Sequence, residues 1–208
     1  MEKPKESHLV AMKHILRYLK GTVDLGLKYD AGGDCNVIGF CDSSHGDDKE
    51  GRKGTTGLIF YYSGSVITWL SQKQRTVAFS SCEADFIAAS SAACQALWLR
   101  SLVSEIRGLM PRRVKLFVDN EAAIALMKNP VFHGRSKHID TRYHFIRDCV
   151  EDGSIEVEHV SGKLQKADGF TKALPRMKFA EWKLMIGMFD HPHQGECVGD
   201  VADMPRNE

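Results

Sequence analysis

The succession of two kinds of periodicity constrains this chain most. Three short apolar stretches, at 36–42, 55–62 and 66–70, come in quick succession. A polar loop rich in Gly and Asp, over 43–53, separates the first two, and Ser63-Gly64-Ser65 reads as a tight hairpin turn between the others. A helical pattern then runs over 81–107, with Ser80-Ser81 at its start and Gly108 and Pro111 past its end. Its stripe is Asp85, Ala88, Ala92, Ala96, Leu99, Val103 and Ile106. Beyond it lie a strand at 114–119, a helix at 121–128 stopped by Asn129-Pro130, a helix at 139–151 stopped by Gly153, a strand at 155–160 and a last helix at 166–188. An antiparallel meander followed by strand–helix alternation specifies an α/β fold. It is a mixed five-stranded sheet, antiparallel then parallel, flanked by helices.

Acidic residues stand at the ends of these elements. Asp42 closes the run Val37-Ile38-Gly39-Phe40-Cys41, Asp119 closes Val114-Lys115-Leu116-Phe117-Val118, and Glu83 and Asp85 open the long helix. Asp168 follows a loop, in Lys166-Ala167-Asp168-Gly169-Phe170-Thr171-Lys172. With the first strand central and the fourth parallel beside it, Asp42 and Asp119 fall at neighbouring carboxyl ends, where open α/β sheets keep their sites. An aspartate after a strand is often only a turn residue; four acids with a common destination are a stronger signal. Converged carboxylates repel and are commonly held together by divalent cations. A pair of such ions is one established way to hydrolyse a phosphodiester.

Outside this core, residues 7–20 read as an amphipathic helix with Ser7 as N-cap, Gly21 as stop and Leu9, Met12, Leu16 and Leu19 on one face. A short strand is expected at 26–29. Residues 189–208 lack periodicity and read as a disordered tail. The net charge of +1 does not announce a nucleic-acid binder. Local basic groups remain, among them Lys73 with Arg75, Arg135 with Lys137, and Lys163, Lys166, Lys172, Arg176 and Lys178; each is ordinarily a solvated surface. None of the six cysteines forms a Cys-x-x-Cys pair, so they read as reduced thiols of an intracellular protein. No run is expected to reach the length of a membrane span.

Taken together, these motifs resemble the ribonuclease H module of the Pol polyprotein of Copia-type LTR retrotransposons. The matching stretches are Lys13-His14-Ile15-Leu16-Arg17-Tyr18-Leu19-Lys20-Gly21-Thr22, Phe40-Cys41-Asp42-Ser43, Gly54-Thr55-Thr56-Gly57 and Trp69-Leu70-Ser71-Gln72-Lys73-Gln74. They continue with Ser80-Ser81-Cys82-Glu83-Ala84-Asp85-Phe86-Ile87-Ala88, Val118-Asp119-Asn120, Ser136-Lys137-His138-Ile139-Asp140, Arg142-Tyr143-His144-Phe145-Ile146-Arg147, and Ala167-Asp168 with Thr171-Lys172. The resemblance covers residues 7–188. It implies a ribonuclease H-like domain at 35–188, preceded at 1–34 by the remnant of a connection to reverse transcriptase. It also implies endonucleolytic cleavage of the RNA strand of RNA:DNA hybrids with two Mg²⁺ ions, for which Mn²⁺ substitutes. The implied partners are the hybrid and the reverse transcriptase domain of the same polyprotein, with no membrane and no small-molecule cofactor. The implied location is cytoplasmic, in a virus-like particle for an active element, or nuclear.

By the same resemblance Asp42, Asp85, Asp119 and Asp168 are the catalytic metal ligands. The family usually carries Glu-Ala-Glu before an aromatic residue, and here Glu83-Ala84-Asp85-Phe86 stands there. Residues two apart point to nearly opposite helix faces, so at most one of the two acids is the direct ligand. Asp85 precedes the large apolar residue and is favoured; Glu83 is the alternative ligand, or a capping acid. Candidate nucleic-acid contacts are Gln72, Lys73, Asn120, Arg135, Lys137 and Arg142; Asn120 reads equally as a helix cap. Trp69 and Trp98 are expected in the core, with minor-groove contact as the other use of Trp69. His133, His138 and His144 are spaced wrongly for one metal-binding helix face. A catalytically decayed module that binds nucleic acid or a partner is the competing reading.

Overall fold

Turn chemistry and strand burial account for the sheet. The computed structural model describes residues 3–29, 32–46, 48, 50–128 and 137–190, with backbone alone at 137–143. Ser63 and Gly64 take positive φ, 51° and 80°. A two-residue turn with that twist matches its flanking strands, here β3 (Thr55–Tyr62) and β4 (Ser65–Lys73). β2 (Val37–Ser43) pairs antiparallel with β3 and parallel with β5 (Val114–Val118). β5 in turn pairs parallel with β6 (Ile155–His159), giving the order β4-β3-β2-β5-β6. This is the expected mixed five-stranded sheet.

One face of the sheet is closed by α2 (Ser81–Arg107), α3 (Glu121–Lys128) and α4 (Lys137–Glu151). The helix α2 approaches closely because Ala88, Ala89, Ala92, Ala93 and Ala96 are all fully buried. Of these, Ala89, Ala92, Ala93 and Ala96 pack among Cys41, Phe60, Leu116, Val157 and Ile146. The Ser80 hydroxyl accepts from the Glu83 N–H at 3.1 Å, and Gly108 ends the helix at φ 61°. By length and composition α2 is apolar enough to cross a membrane, contrary to expectation, but it is the core helix of this domain.

Other details depart from the sequence reading. Ile106 continues the stripe yet is 74% exposed. At about 1.5 Å per residue α2 outruns the strands it covers, so its last turn overhangs. Trp69 and Trp98 are more than half exposed, not in the core. Trp69 lies on the edge strand β4, whose second half is uncovered, and Trp98 lies on the outer side of α2. The expected helix at 166–188 is instead a 3₁₀ turn, Asp168–Phe170, then α5 (Arg176–Met185), then a short strand at Met188–Asp190. Pro175 causes the split, since the residue before a proline avoids the helical region.

The chain divides into two units, 27–187 and 1–26 with 188–208. The smaller holds α1 (Glu6–Lys20), where Lys5 rather than Ser7 is the N-cap and His8 Nδ1 accepts from the Lys5 N–H at 3.2 Å. β1 (Leu25–Leu27) pairs with the Met188–Asp190 strand. The tail expected at 189–208 lies outside the described residues from 191 onward.

Candidate active site

Register brings the first two acids together. Phe40 pairs with Phe117 across β2 and β5, so two residues further on Asp42 faces Asp119. Adjacent strands lie about 4.8 Å apart. Asp42 is 6% exposed. On the helix-covered face, Asp85 of α2 is equally buried and receives hydrogen bonds from the Ser43 hydroxyl at 2.6 Å and Asn120 Nδ2 at 2.9 Å. On the other face, the segment Asp168–Lys172 supplies three groups. Thr171 Oγ1 donates to Asp42 Oδ2 at 2.7 Å, Asp168 pairs with Lys172, and the Lys172 ammonium acts on Asp42 and Asp119 as well.

Two features let that segment reach the sheet. Gly57 pairs with Asp42 on the neighbouring strand. A methyl group on it would lie 2.7 Å from Thr171 Cγ2 and 2.8 Å from the Ala167 carbonyl. Fully buried Gln165 donates to the Cys41 carbonyl at 2.9 Å, latching the loop to β2.

The electrostatics follow from crowding and burial. Burial raises the Asp42 carboxyl to about 7, the Thr171 hydrogen bond opposes the shift, and Asp119, Asp85 and Asp168 add to it. Asp85 is raised by burial, against the hydrogen bonds from Ser43 and Asn120. Asp119 is also raised, chiefly by burial and then by Asp168, with Lys172 and His159 opposing. The four acids named from the sequence thus share one electrostatic site. Hard oxygen donors in a desolvated cluster suit Mg²⁺ or Mn²⁺. Yet among the described residues no three His, Cys, Asp or Glu side chains stand close enough to enclose a single ion. The carboxylates adjoin without converging, and protein donors hold their oxygens: Thr171 on Asp42, Ser43 and Asn120 on Asp85, Lys172 on Asp168.

Glu83 is turned elsewhere. Its Oε2 accepts from the Phe79 N–H at 2.8 Å, the capping role. Asn120 is both a cap, accepting from the N–H groups of Ala122 and Ala123 at 3.0 and 3.2 Å, and a partner of Asp85. Gln72 is exposed on β4, and Lys73 pairs with Asp48. Arg135 lies outside the described residues, as do the side chains of Lys137 and Arg142. Lys166 is no solvated patch: it sits over the rings of Tyr61 and Phe40, at 4.1 and 5.3 Å. Sequence reasoning gave no role to Ser43, Gln165 or Gly57; the quoted motifs Phe40-Cys41-Asp42-Ser43 and Gly54-Thr55-Thr56-Gly57 held the available signal.

Comparison with known proteins places the chain. It is 40% identical over 188 residues to the retrovirus-related Pol polyprotein from transposon TNT 1-94 of Nicotiana tabacum, covering 90% of this chain and 14% of that protein. It is 38% identical over 188 residues to the corresponding polyprotein from transposon RE1 of Arabidopsis thaliana, covering 90% and 13%. Its homologues are Copia-type retrotransposon Pol polyproteins. The chain spans about one seventh of the length of these curated Pol relatives. No family model matches it. Its fold is that of LC11-RNase H1, isolated from compost by a metagenomic approach, with a TM-score of 0.50, 13% identity and coverage of 66% of this chain and 94% of that chain.

Proposed function

We propose that this chain is a metal-dependent ribonuclease that cuts the RNA strand of RNA:DNA hybrids by a two-metal mechanism. The observation that carries the reading is the group of Asp42, Asp85, Asp119 and Asp168, the first two buried and the others half-buried, in which Asp42 is raised to about 7 and Lys172 is the cation paired with Asp168. Such an arrangement stores repulsion that divalent cations relieve. The relationship to Pol polyproteins agrees with it. On this reading the catalytic module is 35–188, and the other partner is the reverse transcriptase of the same polyprotein.

Drawn closer together than they stand here, Asp42, Asp119 and Asp168 would hold one ion, and Asp42 with Asp85 the other. Bound there, the ions would supply an activated water and offset charge on the attacking and leaving oxygens. The protein's own part is orientation. Thr171 fixes the Asp42 rotamer; Ser43 and Asn120 fix Asp85, which is one methylene shorter than the usual glutamate of the family. Lys172 keeps a positive charge beside the acids and, on yielding Asp168, can turn to a phosphate oxygen. Glu83 serves the helix start, which favours Asp85 as ligand.

One observation favours the decayed binding module instead: both Asp85 oxygens are engaged by protein donors, and no three acids enclose a point among the described residues. Cleavage of a labelled hybrid with Mg²⁺ and with Mn²⁺ separates the two readings. Metal-dependent loss of the RNA strand alone, abolished by Asp42→Asn, is expected. A folded protein that leaves the hybrid intact in both metals overturns the ribonuclease reading.

A further inference from the structure

A second concentration of charge and aromatic surface lies at the other end of β2, about 17 Å along the strand from Asp42 at about 3.3 Å per residue. A cavity of about 30 Å³ is rimmed there by Arg100, Arg107 and Arg112 over a floor that includes Val37, Val103 and Leu109. Arg100 Nε donates to the Arg112 carbonyl at 3.1 Å, which holds the Arg100 side chain against the backbone of residue 112. Arg112 Nη1 donates to Asn36 Oδ1 at 3.2 Å, and its acidic neighbour, Asp34, stands at 3.8 Å with a side chain 75% exposed. Arg107 Nη1 donates to Tyr62 Oη at 3.1 Å and to Cys35 Sγ at 3.2 Å. Among the described residues Asp34 pairs with Arg112 and Asp152 acts on Arg100, so two exposed carboxylates stand near three guanidinium groups, an excess of positive charge suited to an anion.

Tyr62, Val103 and Arg107 are also the wall of a second cavity, of about 430 Å³, lined by Trp98, Leu102 and Ile106. Trp98 is 57% and Ile106 74% exposed, so a flat apolar surface stands beside the arginines. Each half alone is ordinary. A small cationic pocket and an apolar aromatic groove that share a wall match a ligand with an aromatic ring at one end and a phosphate at the other. We propose that this junction is a nucleoside-phosphate site, with the base on Trp98, Leu102 and Ile106 and the phosphate on Arg107, Arg100 and Arg112. Base-on-aromatic stacking with arginine contacts to phosphate is how proteins hold single strands without reading sequence. The ligand is thus a free nucleotide or one nucleotide of a single strand, held apart from the carboxylates.

Cys35 reports on occupancy because its sulfur touches Arg107. Hydrogen bonds from Tyr62 and Arg107 hold its thiol below the usual range, which favours alkylation. The test is peptide-resolved alkylation of the full chain by iodoacetamide, with exposed Cys94 as internal control. The probes are AMP, a 12-nucleotide single-stranded DNA, inorganic phosphate and polyglutamate. A nucleotide probe should slow Cys35 labelling severalfold and leave Cys94 unchanged. Trp98→Ala should weaken that protection by roughly tenfold, the usual cost of a lost stacking partner, and Trp98→Phe should keep it. Arg112→Gln should also weaken it and lower its salt dependence. Protection by AMP means that one nucleotide suffices; protection by the oligonucleotide alone means that the strand is the ligand, and both carry the proposal. Equal labelling with every nucleotide probe overturns it. So does protection by phosphate or polyglutamate that matches the nucleotides and survives Trp98→Ala. Asp42→Asn should leave the protection intact, so failure of the ribonuclease reading is distinguishable from failure of this one.

Discussion

Replacing Asp42 by Asn should stabilise the metal-free protein at alkaline pH, although it removes a central residue of the site. Burial and three neighbouring carboxylates raise the Asp42 carboxyl from 3.8 to about 7. One unit corresponds to about 1.4 kcal/mol, so the ionised form costs the fold roughly 4 kcal/mol. The folded state binds this proton more tightly than the unfolded chain does. Stability is therefore fully present below about pH 4, falls as pH rises toward 7, and stays low above that. Asn resembles the neutral acid, and its oxygen can still accept from Thr171 Oγ1, so the variant should lack this fall. In EDTA at pH 8 it should melt on the order of 8–15 °C higher, at about 2–4 °C per kcal/mol for a domain of this size. At pH 4 the two should agree within a few degrees. Mg²⁺ should raise the melting temperature of the native protein more than that of the variant. Calorimetry at both pH values, with EDTA and with Mg²⁺, measures all four quantities. An Asn variant no more stable than the native protein at pH 8 in EDTA would refute the argument that burial and neighbouring carboxylates make the ionised Asp42 costly to the fold.

Two further outcomes test the division of labour around the cluster. Asp85→Asn should abolish hybrid cleavage, whereas Glu83→Gln, which keeps an acceptor for the Phe79 N–H, should cost under about 1 kcal/mol by thermal unfolding and leave cleavage within a few fold; the opposite pattern would make Glu83 the ligand. Gly57→Ala should lower stability by about 1–3 kcal/mol, because its methyl would press on the Ala167 carbonyl, and should lower cleavage more than a core substitution of equal cost; cleavage at the native rate would mean that close packing of this segment against β3 does not position Asp168.

What was legible in the sequence was whatever backbone periodicity carries. The Ser63-Gly64 turn, the cap at Ser80 and the stop at Gly108 are local chemistry, and they bound β3, β4 and α2 where the pattern put them. Asp42 and Asp119 were legible as a pair because parallel register follows from element order. The exposure of Trp69, Trp98 and Ile106 was not legible. An apolar side chain on a helix or strand says only that it can be buried, and the length of the neighbouring sheet decides whether it is. The division of 166–188 was readable at Pro175, but helical propensity on both sides outweighed it.

The rest of the site was hidden because it is made of residues with no chemistry of their own to announce. Asp42 is useful only if its carboxylate is aimed, and Thr171 aims it from 129 residues away. Thr171 reaches Asp42 only because Gly57, paired with Asp42 on the next strand, presents no side chain to the arriving segment. The segment is held there by Gln165, whose amide is fully buried on the Cys41 carbonyl. A threonine, a glycine and a glutamine are each unremarkable in a sequence, and their joint effect depends on contacts across the fold. Positioning of this kind has to be rigid, since a ligand displaced by more than about 0.5 Å weakens a metal site. The sheet and α2 bring the acids to one edge; the latch through Gln165, Gly57 and Thr171 decides whether they meet there in register.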